Sequence, residues 1–389
     1  MHALYLMQHK WKILIVAMFV NLSIWAGDII PVSQASRISA SLAISPGYYA
    51  FLISLPILMM VLFSIPAGFL VVRLGAKRTA TYGMLIAFAG AALRGFAWNS
   101  LSFTLFTAIY GIGMAVTFTN LPKIAEYEFP AKEQSIASGV YMSGLPLGAI
   151  VALVPGSMLG FLTWQEIIFL YSSLFLIALP LWLTTARDVP VTPVHGADFV
   201  QVSKNRGLWI LSVANMTLLI TYFGVTTYLP MQKNMQALLG PQTSLLIASV
   251  SAALVFGLLF LPRISGRFGE RRSAIVYQLC TAGFLILFFA ALHFNSPLVW
   301  VFSILAGVFL GGTIPLFFAF LTRIGVRSEM FGIASGIFVS VLNIGGFLAP
   351  VLAHAIDFNL GLAGVIALFA GASLAGAVLT LLIPFKNER

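Results

Sequence analysis

Charge is scarce in this sequence. Only 8% of its 389 residues are Asp, Glu, Lys or Arg, whereas 60% are hydrophobic and the mean hydropathy is +1.01. A chain of this composition has too few polar side chains to surround an ordinary water-soluble core. The scarcity of charge excludes an ordinary soluble enzyme or binding module, and it predicts a protein whose solvent is a lipid bilayer.

Reactive groups are scarce as well. Cys280 is the single cysteine, so the chain cannot form an intramolecular disulfide. The sequence has no phosphate-binding loop with its lysine, no His, Cys and carboxylate cluster at metal-ligand spacing, and no hydrolase-like set of Ser, His and Asp. We therefore expect no cofactor, no metal, no ATP-driven step and no enzymatic activity.

Acidic residues are fewer than basic ones. Asp and Glu number 11 against 21 Lys and Arg, which gives a net charge of +10. Nucleic-acid binding would need the basic residues clustered on one face or tail, but here they occupy short turns between apolar runs. We expect no nucleic-acid partner and attribute the basic residues to orientation in a membrane.

Long apolar runs are abundant. A helix needs about 20 residues to cross roughly 30 Å of hydrocarbon. The sequence has twelve such runs, near 12–31, 47–72, 77–97, 101–121, 134–158, 164–185, 207–230, 243–262, 273–293, 298–321, 330–355 and 361–384. With both termini cytoplasmic, the inner segments hold every Lys and Arg except Arg37, Arg94 and Lys233, and such an excess sets topology. The runs predict a multi-pass protein of the cell inner (cytoplasmic) membrane.

The chain repeats itself at about half its length. IASGVYMSGLPLGA at Ile136–Ala149 returns as IASGIFVSVLNIGG at Ile333–Gly346, and GAKRTATYG at Gly75–Gly83 returns as GERRSAIVY at Gly269–Tyr277. Matches at nearly one offset indicate duplication. We predict a six-helix bundle at 1–186, a cytoplasmic linker at 187–206 and a second bundle at 207–389. Because both basic turns follow the second run of their copy, the copies should be parallel, related by an axis along the membrane normal.

One of these turns carries a family resemblance. GFLVVRLGAKR, from Gly68 to Arg78, resembles the loop signature G-x-L-x-D-R-x-G-R-K of the major facilitator superfamily, with Val72 at the acidic position. The second copy keeps the basic residues but has Gly266 at that position, and GLPLG at 144–148 resembles the fifth-helix motif of antiporters. The resemblance implies an all-α fold of twelve transmembrane helices in two six-helix bundles. It also implies gate or pivot roles for Gly68, Arg73, Gly75, Arg78, Gly144, Pro146, Arg267, Gly269 and Gly345.

Two shorter motifs point to a subgroup. ALRG at 92–95 and Asn120-Leu121-Pro122 resemble the cyanate and nitroimidazole porter group. Departures accompany the likeness: Val20 stands near the place of a first-helix arginine, and Thr107 stands about where the family's fourth-helix arginine would be.

Two charges lie within apolar runs, where ionisable groups need a functional or structural explanation. Asp28 lies 16 residues beyond Lys12, or roughly 24 Å along a helix. A carboxyl group in a low-dielectric medium keeps its proton to higher pH than in water and can exchange it near neutrality. Asp28 could therefore couple protons or contact substrate, or it could face a solvated vestibule or form a structural ion pair. Arg94, at similar depth, could pair with Asp28 or extend to the membrane interface.

Uncharged polar groups supply the remaining candidates. Asn21 and Asn215 are equivalent in the repeat, each followed two residues later by a hydroxyl, and they could bind a solute across a central cavity or bond neighbouring helices. Trp25 could line an aromatic wall or face lipid. Lys123 could orient the chain or contact an anion. The substrate-site candidates are Asn21, Trp25, Thr119, Asn120, Asn215, Thr217, Tyr222 and Asn343, although packing also explains Asn343.

The sequence as a whole predicts a secondary transporter. We expect alternating access for a small monoanionic or polar organic solute, with protons coupled through Asp28 and Arg94. Alternatives are proton-driven efflux of drugs or other amphipathic compounds, and a non-transporting membrane sensor or scaffold. The expected partners are the small solute, protons and the lipid bilayer, and we expect a monomer.

Overall fold

The computed structural model describes residues 2–187, 196–229 and 242–385, together with Gln232, Met235, Leu238 and Leu239. These residues are helical, with no strand among them. Residues 188–195 of the predicted linker and Lys233 lie outside the described residues. The α-helices are α1 (His2–Ser33), α2 (Ala35–Ser41), α3 (Pro46–Leu74), α4 (Ala76–Gly95), α5 (Ser100–Phe118), α6 (Leu121–Glu128), α7 (Gln134–Met142), α8 (Gly144–Met158), α9 (Trp164–Ser172), α10 (Leu174–Thr185), α11 (Gly196–Ser203), α12 (Arg206–Phe223), α13 (Gln242–Phe268), α14 (Glu270–His293), α15 (Leu298–Phe320) and α16 (Phe331–Leu381).

Ten helical stretches in the described part of the chain are long and apolar enough to cross a membrane. Twelve were expected, and the difference has two sources. The run 77–97 corresponds to α4, the least apolar of the long helices, which is not among the ten. The runs 330–355 and 361–384 both fall in one stretch of 54 residues, Ser328–Leu381, whose helix is interrupted at Gly361 (φ 60°, ψ −160°).

The chain divides into two compact units. The first comprises Met1–Val202 with Arg327–Ser340, and the second comprises Ser203–Val326 with Val341–Arg389. The start of α16 therefore belongs to the first unit and the rest of that helix to the second. The bundle limits at 186 and 207 remain predictions.

Each unit contains a close helix contact built on a glycine from the repeated motif. In the first unit, a Cβ at Gly148 of α8 would lie 2.6 Å from the carbonyl oxygen of Leu22 on α1. In the second unit, a Cβ at Gly345 of α16 would overlap the carbonyl oxygen of Met216 on α12. Only glycine allows the backbones to approach this closely. The repeated motif thus preserves one helix-packing contact in both copies.

The two basic turns are also preserved. Gly75 (φ 85°) separates α3 from α4, and Gly269 (φ 89°) separates α13 from α14. Positive φ favours glycine because a Cβ strains this backbone conformation. In the second unit, Glu270 follows the turn and pairs with Arg323, with 2.6 Å between their side-chain atoms.

Candidate functional site

Four helices of the first unit bring ionisable side chains into its interior. Asp28 comes from α1, Tyr49 from α3, Arg94 from the last turn of α4 and Tyr110 from α5, and all four are buried. Asp28, Tyr49 and Tyr110 each lie within electrostatic range of Arg94. We call these four residues the Arg94 site.

The guanidinium of Arg94 lies over an aromatic ring. Its central carbon is 3.9 Å from the ring centre of Tyr110, and the Arg94 side chain is only 2% exposed. This burial does not fit a side chain that extends to the membrane interface. A cation over an aromatic face is attracted by the quadrupole of the ring, which offsets part of the lost hydration.

Hydrogen bonds hold the two tyrosines in place. The Tyr110 hydroxyl donates to the carbonyl oxygen of Ile24, and the Tyr49 hydroxyl donates to that of Pro31 at 2.6 Å. Both acceptors belong to α1, so the rings from α3 and α5 are tied to the helix that carries Asp28.

Asp28 and Arg94 lie within electrostatic range of each other without forming a hydrogen-bonded ion pair. Within the described ranges, neither Oδ1 of Asp28 nor Nε or Nη2 of Arg94 has a hydrogen-bond partner. Buried polar atoms are nearly always partnered, and those that are not call for an explanation. The Arg94 site therefore contains polar atoms whose hydrogen-bonding capacity is unused in this structure.

The equivalent asparagines differ between the units. Nδ2 of Asn21 donates to the carbonyl oxygen of Tyr141 at 2.8 Å, whereas neither amide atom of Asn215 has a partner among the described residues. Both side chains are fully buried. Asn21 thus bonds helices together, and Asn215 is left with unused hydrogen-bonding groups.

The other substrate-site candidates are buried too. Trp25 is 3% exposed and packs edge-to-face on Phe118, so it does not face lipid. Thr119 and Thr217 donate their hydroxyls to carbonyl oxygens of their own helices, Ala115 and Ala214, at 2.8 Å. The side chains of Asn120, Tyr222 and Asn343 are also buried. Asn21, Trp25, Thr119 and Asn120 lie in the first unit, and Asn215, Thr217, Tyr222 and Asn343 in the second.

The predicted gate residues fall into two groups. Arg73, Arg78 and Arg267 are exposed, as expected of basic residues at helix ends. Gly68, Gly144 and Pro146 are instead buried, and the two glycines lie at close contacts between helices. A Cβ at Gly68 would lie 2.5 Å from the carbonyl oxygen of Gly332, so α3 touches the start of α16 backbone to backbone.

A polar cluster that sequence reasoning missed lies beside this contact. Lys123 Nζ donates to the Ser328 carbonyl oxygen at 2.7 Å and pairs with Glu126 at 2.9 Å, while Ser328 Oγ donates to the other Glu126 oxygen at 2.7 Å. Ser335 Oγ also donates to the Thr119 carbonyl oxygen at 2.9 Å. These bonds hold the segment Arg327–Ser340 to the rest of the first unit.

Tyr49 and Tyr110 were also missed. A usable signal existed, because a buried arginine needs an aromatic face or an acceptor at its own depth. Tyr110 directly precedes Gly111 on the adjacent helix.

In the described part of the chain, no group of three or more His, Cys, Asp and Glu residues could hold a metal ion.

Comparison with known proteins gives three partial likenesses. The chain is 31% identical to the uncharacterized transporter YycB of Bacillus subtilis (strain 168) over 157 residues, which are 39% of this chain and only 38% of that protein. It is 26% identical to a gentisate transporter of Corynebacterium glutamicum over 325 residues, 79% of this chain and 72% of the relative. It is 23% identical to a nitrite extrusion protein of Bacillus subtilis (strain 168) over 352 residues, 85% and 84% of the two chains.

A solved structure and a family profile extend these likenesses to the whole chain. The fold matches the crystal structure of the transporter FucP in the outward conformation with a TM-score of 0.78, at 13% identity, over 96% of this chain and 98% of the other. The profile of the Major Facilitator Superfamily matches residues 13–239 and 235–389. The chain therefore belongs to the Major Facilitator Superfamily, and it is a multi-pass membrane transporter rather than an enzyme.

Proposed function

We propose that the protein couples proton movement to transport of a small monoanionic or polar organic solute by alternating access. The observation that carries this proposal is the Arg94 site, where a buried carboxyl group and a buried guanidinium lie together with unpartnered atoms on both. Intramembrane ionisable groups are rare and mark ion and substrate pathways.

Charge arithmetic supports coupling through Asp28. With Asp28 ionised, the carboxylate balances the charge of Arg94, and with Asp28 protonated the Arg94 site carries one net positive charge. A positive charge inside a low-dielectric region favours the entry of an anion. Proton binding and anion binding therefore promote each other at this site.

Neutral hydrogen bonds supply recognition beyond the charge. The unpartnered amide atoms of Asn215 and the free Oδ1 of Asn21 are available to a polar solute. In this proposal Trp25, Thr119 and Asn120 contribute from the first unit and Thr217, Tyr222 and Asn343 from the second, while Lys123, Glu126 and Ser328 stabilise one conformation of the first unit.

Two relatives support a monoanion as solute. Gentisate and nitrite are the solutes in the names of two similar proteins, and each is a monoanion with two oxygens on one planar group. The likeness of ALRG and Asn120-Leu121-Pro122 to cyanate and nitroimidazole porters remains a prediction within the same solute class.

The proposal includes a topology. Twelve crossings result if α4 spans the membrane despite its lower hydropathy and if α16 crosses twice, once on each side of Gly361. In this proposal both termini are cytoplasmic, as the excess of basic residues in the inner segments predicts, and the protein is a monomer in the cell inner membrane.

Counterflow in proteoliposomes tests the function. Purified protein would be assayed with small monoanions and, separately, with lipophilic cations, with and without a pH gradient. We expect exchange of monoanions and stimulation of their uptake by an inward proton gradient. Exchange of lipophilic cations alone would favour efflux of amphipathic compounds instead.

Asp28→Asn tests the coupling. We expect it to retain exchange but to lose gradient-driven uptake, because the amide cannot release a proton. Asp357→Asn, an acid of α16 outside the Arg94 site, is the matched control and should keep both activities. Full gradient-driven uptake by Asp28→Asn would remove Asp28 from the mechanism.

A further inference from the structure

The unpartnered nitrogens of Arg94 belong to one edge of its guanidinium. Nε and Nη2 project their N–H groups side by side, and no described residue accepts a hydrogen bond from either. Two parallel N–H donors match the two oxygens of a carboxylate or of a similar planar anion. The two unpartnered N–H groups therefore form one bidentate hydrogen-bond donor, which we call the fork.

Tyr110 contacts the guanidinium group that carries this fork. Its ring supports the face of the guanidinium at 3.9 Å, and its hydroxyl donates to the Ile24 carbonyl oxygen. The ring stabilises the charge of Arg94, and Nε and Nη2 of Arg94 keep their N–H groups without a hydrogen-bond partner among the described residues. Gly27 makes room for this arrangement, because a Cβ there would lie 2.8 Å from the Tyr110 oxygen.

The neighbouring hydroxyl groups are bonded elsewhere. Tyr49 and Tyr110 donate to carbonyl oxygens of α1, as described above. Tyr171 donates to the Val151 carbonyl oxygen at 2.6 Å, and Ser172 donates to the Ile168 carbonyl oxygen at 2.7 Å. The crevice beside Arg94 is too narrow for a water molecule and is lined by Gly27, Ile30, Ala91, Ile168, Tyr171 and Ser172. An anion can reach the fork only if the helices that line this crevice separate.

We propose that the Nε–Nη2 edge of Arg94 is the binding site for the planar two-oxygen group of a monoanion, a carboxylate or nitrite, with Tyr110 as its positioning residue. This inference rests on the proposed transport function and assigns the charged end of the solute to one side chain.

Protonation of Asp28 sets the affinity of the fork. The titratable groups that face Arg94 are Asp28 from α1, Tyr49 from α3 and Tyr110 from α5, with Tyr171 from α9 in the same crevice. Of these, Asp28 is the one carboxyl group, whereas a tyrosine ordinarily loses its proton near pH 10. Anion binding should therefore strengthen as pH falls.

Thermal unfolding of the purified full-length protein tests the site with two ligand pairs. Benzoate and formate carry the planar anion, whereas benzamide and formamide have nearly the same shape without the charge. A ligand that binds the native state raises the unfolding temperature by mass action. We expect benzoate and formate to raise it more than their amides, and more strongly at pH 6 than at pH 8.

Two arginine variants separate the fork from charge alone. Arg94→Lys keeps the positive charge but loses the planar fork, and we expect the apparent Kd for benzoate to rise about tenfold or more. Arg37→Lys is the matched control, since Arg37 bonds Gln34 and Leu162 outside the site, and it should bind benzoate like the wild type. Asp28→Asn should bind benzoate equally at both pH values.

Two variants test Tyr110. Tyr110→Phe keeps the ring and should retain the benzoate–benzamide difference, whereas Tyr110→Leu should lose it even where its own unfolding temperature is unchanged. If Tyr110→Leu does not fold, Arg94→Lys and the ligand pairs decide the question.

Equal shifts with benzoate and benzamide in the wild type, or an unchanged benzoate Kd in Arg94→Lys, would overturn the inference. Counterflow distinguishes this failure from that of the proposed function. Monoanion exchange that is unaffected by Arg94→Lys leaves transport standing and removes the site. A benzoate-specific shift that depends on Arg94, in a protein that exchanges no monoanion, leaves the site standing and removes the transport proposal.

Discussion

The two copies of the repeat place different chemistry at equivalent positions. At the offset of 194 residues, Asp28 corresponds to Tyr222, Tyr49 to Thr243 and Arg94 to Phe288. Tyr110 and Ala306 each directly precede the first glycine on corresponding helices. The Arg94 site of the first unit thus has an uncharged counterpart in the second.

That counterpart contains a cavity. Its lining includes Thr243, Leu285, Phe288 and Ala306, and the space open to the centre of a water molecule is about 30 Å³. A tyrosine ring supports the arginine in the first unit, whereas the second unit has an alanine next to empty space. Duplication therefore preserved the helix contacts at Gly148 and Gly345, while the chemistry developed in one copy only.

An arginine placed in the second unit tests whether that unit can hold a buried charge as the first unit does. Phe288→Arg would bury a charge where the counterparts of Asp28 and Tyr110 are a tyrosine and an alanine. We expect it to lower the free energy of unfolding by about 3–5 kcal/mol, the usual effect of an uncompensated buried charge. Chemical denaturation in mixed micelles measures this, with Phe288→Met as the control of similar volume. Equal stability of the two variants would show that the second unit can accommodate the charge as the first does.

A double-mutant cycle on Asp28 and Arg94 measures the coupling energy between the two charges, which can be compared with that of their counterparts in the second unit. Asp28→Asn leaves Arg94 without its carboxylate and should destabilise the protein, whereas Asp28→Asn with Arg94→Met removes both charges and should restore most of the stability. We expect a coupling energy of about 1–3 kcal/mol, as for residues of one electrostatic network. The corresponding cycle on Tyr222 and Phe288 should give a value near zero. Additive effects at Asp28 and Arg94 would mean that the two charges act independently.

Sequence reasoning recovered most of the helices and singled out Asp28 and Arg94, although it left open whether these two charges are buried. Apolar runs have a length fixed by the bilayer, and a charge within such a run stands out whatever surrounds it. The repeated motifs also marked the turns at Gly75 and Gly269, because a backbone that needs positive φ favours glycine.

The partners of these residues were beyond sequence reasoning. Asn21 and Asn215 are equivalent in sequence, yet only Asn21 finds a carbonyl acceptor, because that depends on where the Tyr141 backbone lies. The roles of Tyr110 and Lys123 depend on contacts between helices that are distant in the chain. The break between the predicted runs 330–355 and 361–384 falls beside the non-helical Gly361, but the contribution of the first turns of α16 to the other unit follows from tertiary contacts alone.

Alanine at the two repeated glycines tests what the copies share. Gly148→Ala and Gly345→Ala each introduce a Cβ against a carbonyl oxygen of the neighbouring helix, and we expect a loss of about 1–3 kcal/mol from each, as for overpacked cores. Gly371→Ala is the matched control in α16, because nothing lies within 4 Å of a Cβ there, and it should be neutral or stabilising. A loss at only one of the two positions would end the claim that duplication preserved this contact.

The smallest expected effect concerns the counterpart of Tyr49. The Oγ1 of Thr243 has no hydrogen-bond partner among the described residues, and the side chain is 5% exposed. Thr243→Val removes this hydroxyl at nearly constant shape, so we expect a gain in unfolding free energy of about 1 kcal/mol. Thr281→Val is the matched control, because Thr281 donates to the Tyr277 carbonyl oxygen at 2.9 Å, and it should be neutral or destabilising. Since the cavity exceeds the 10–15 Å³ that one water needs, a loss of stability in Thr243→Val would mean that a buried water bonds this hydroxyl. The second unit would then hold a hydrated polar site where we describe an apolar one, and the contrast between the copies would reduce to the charge alone.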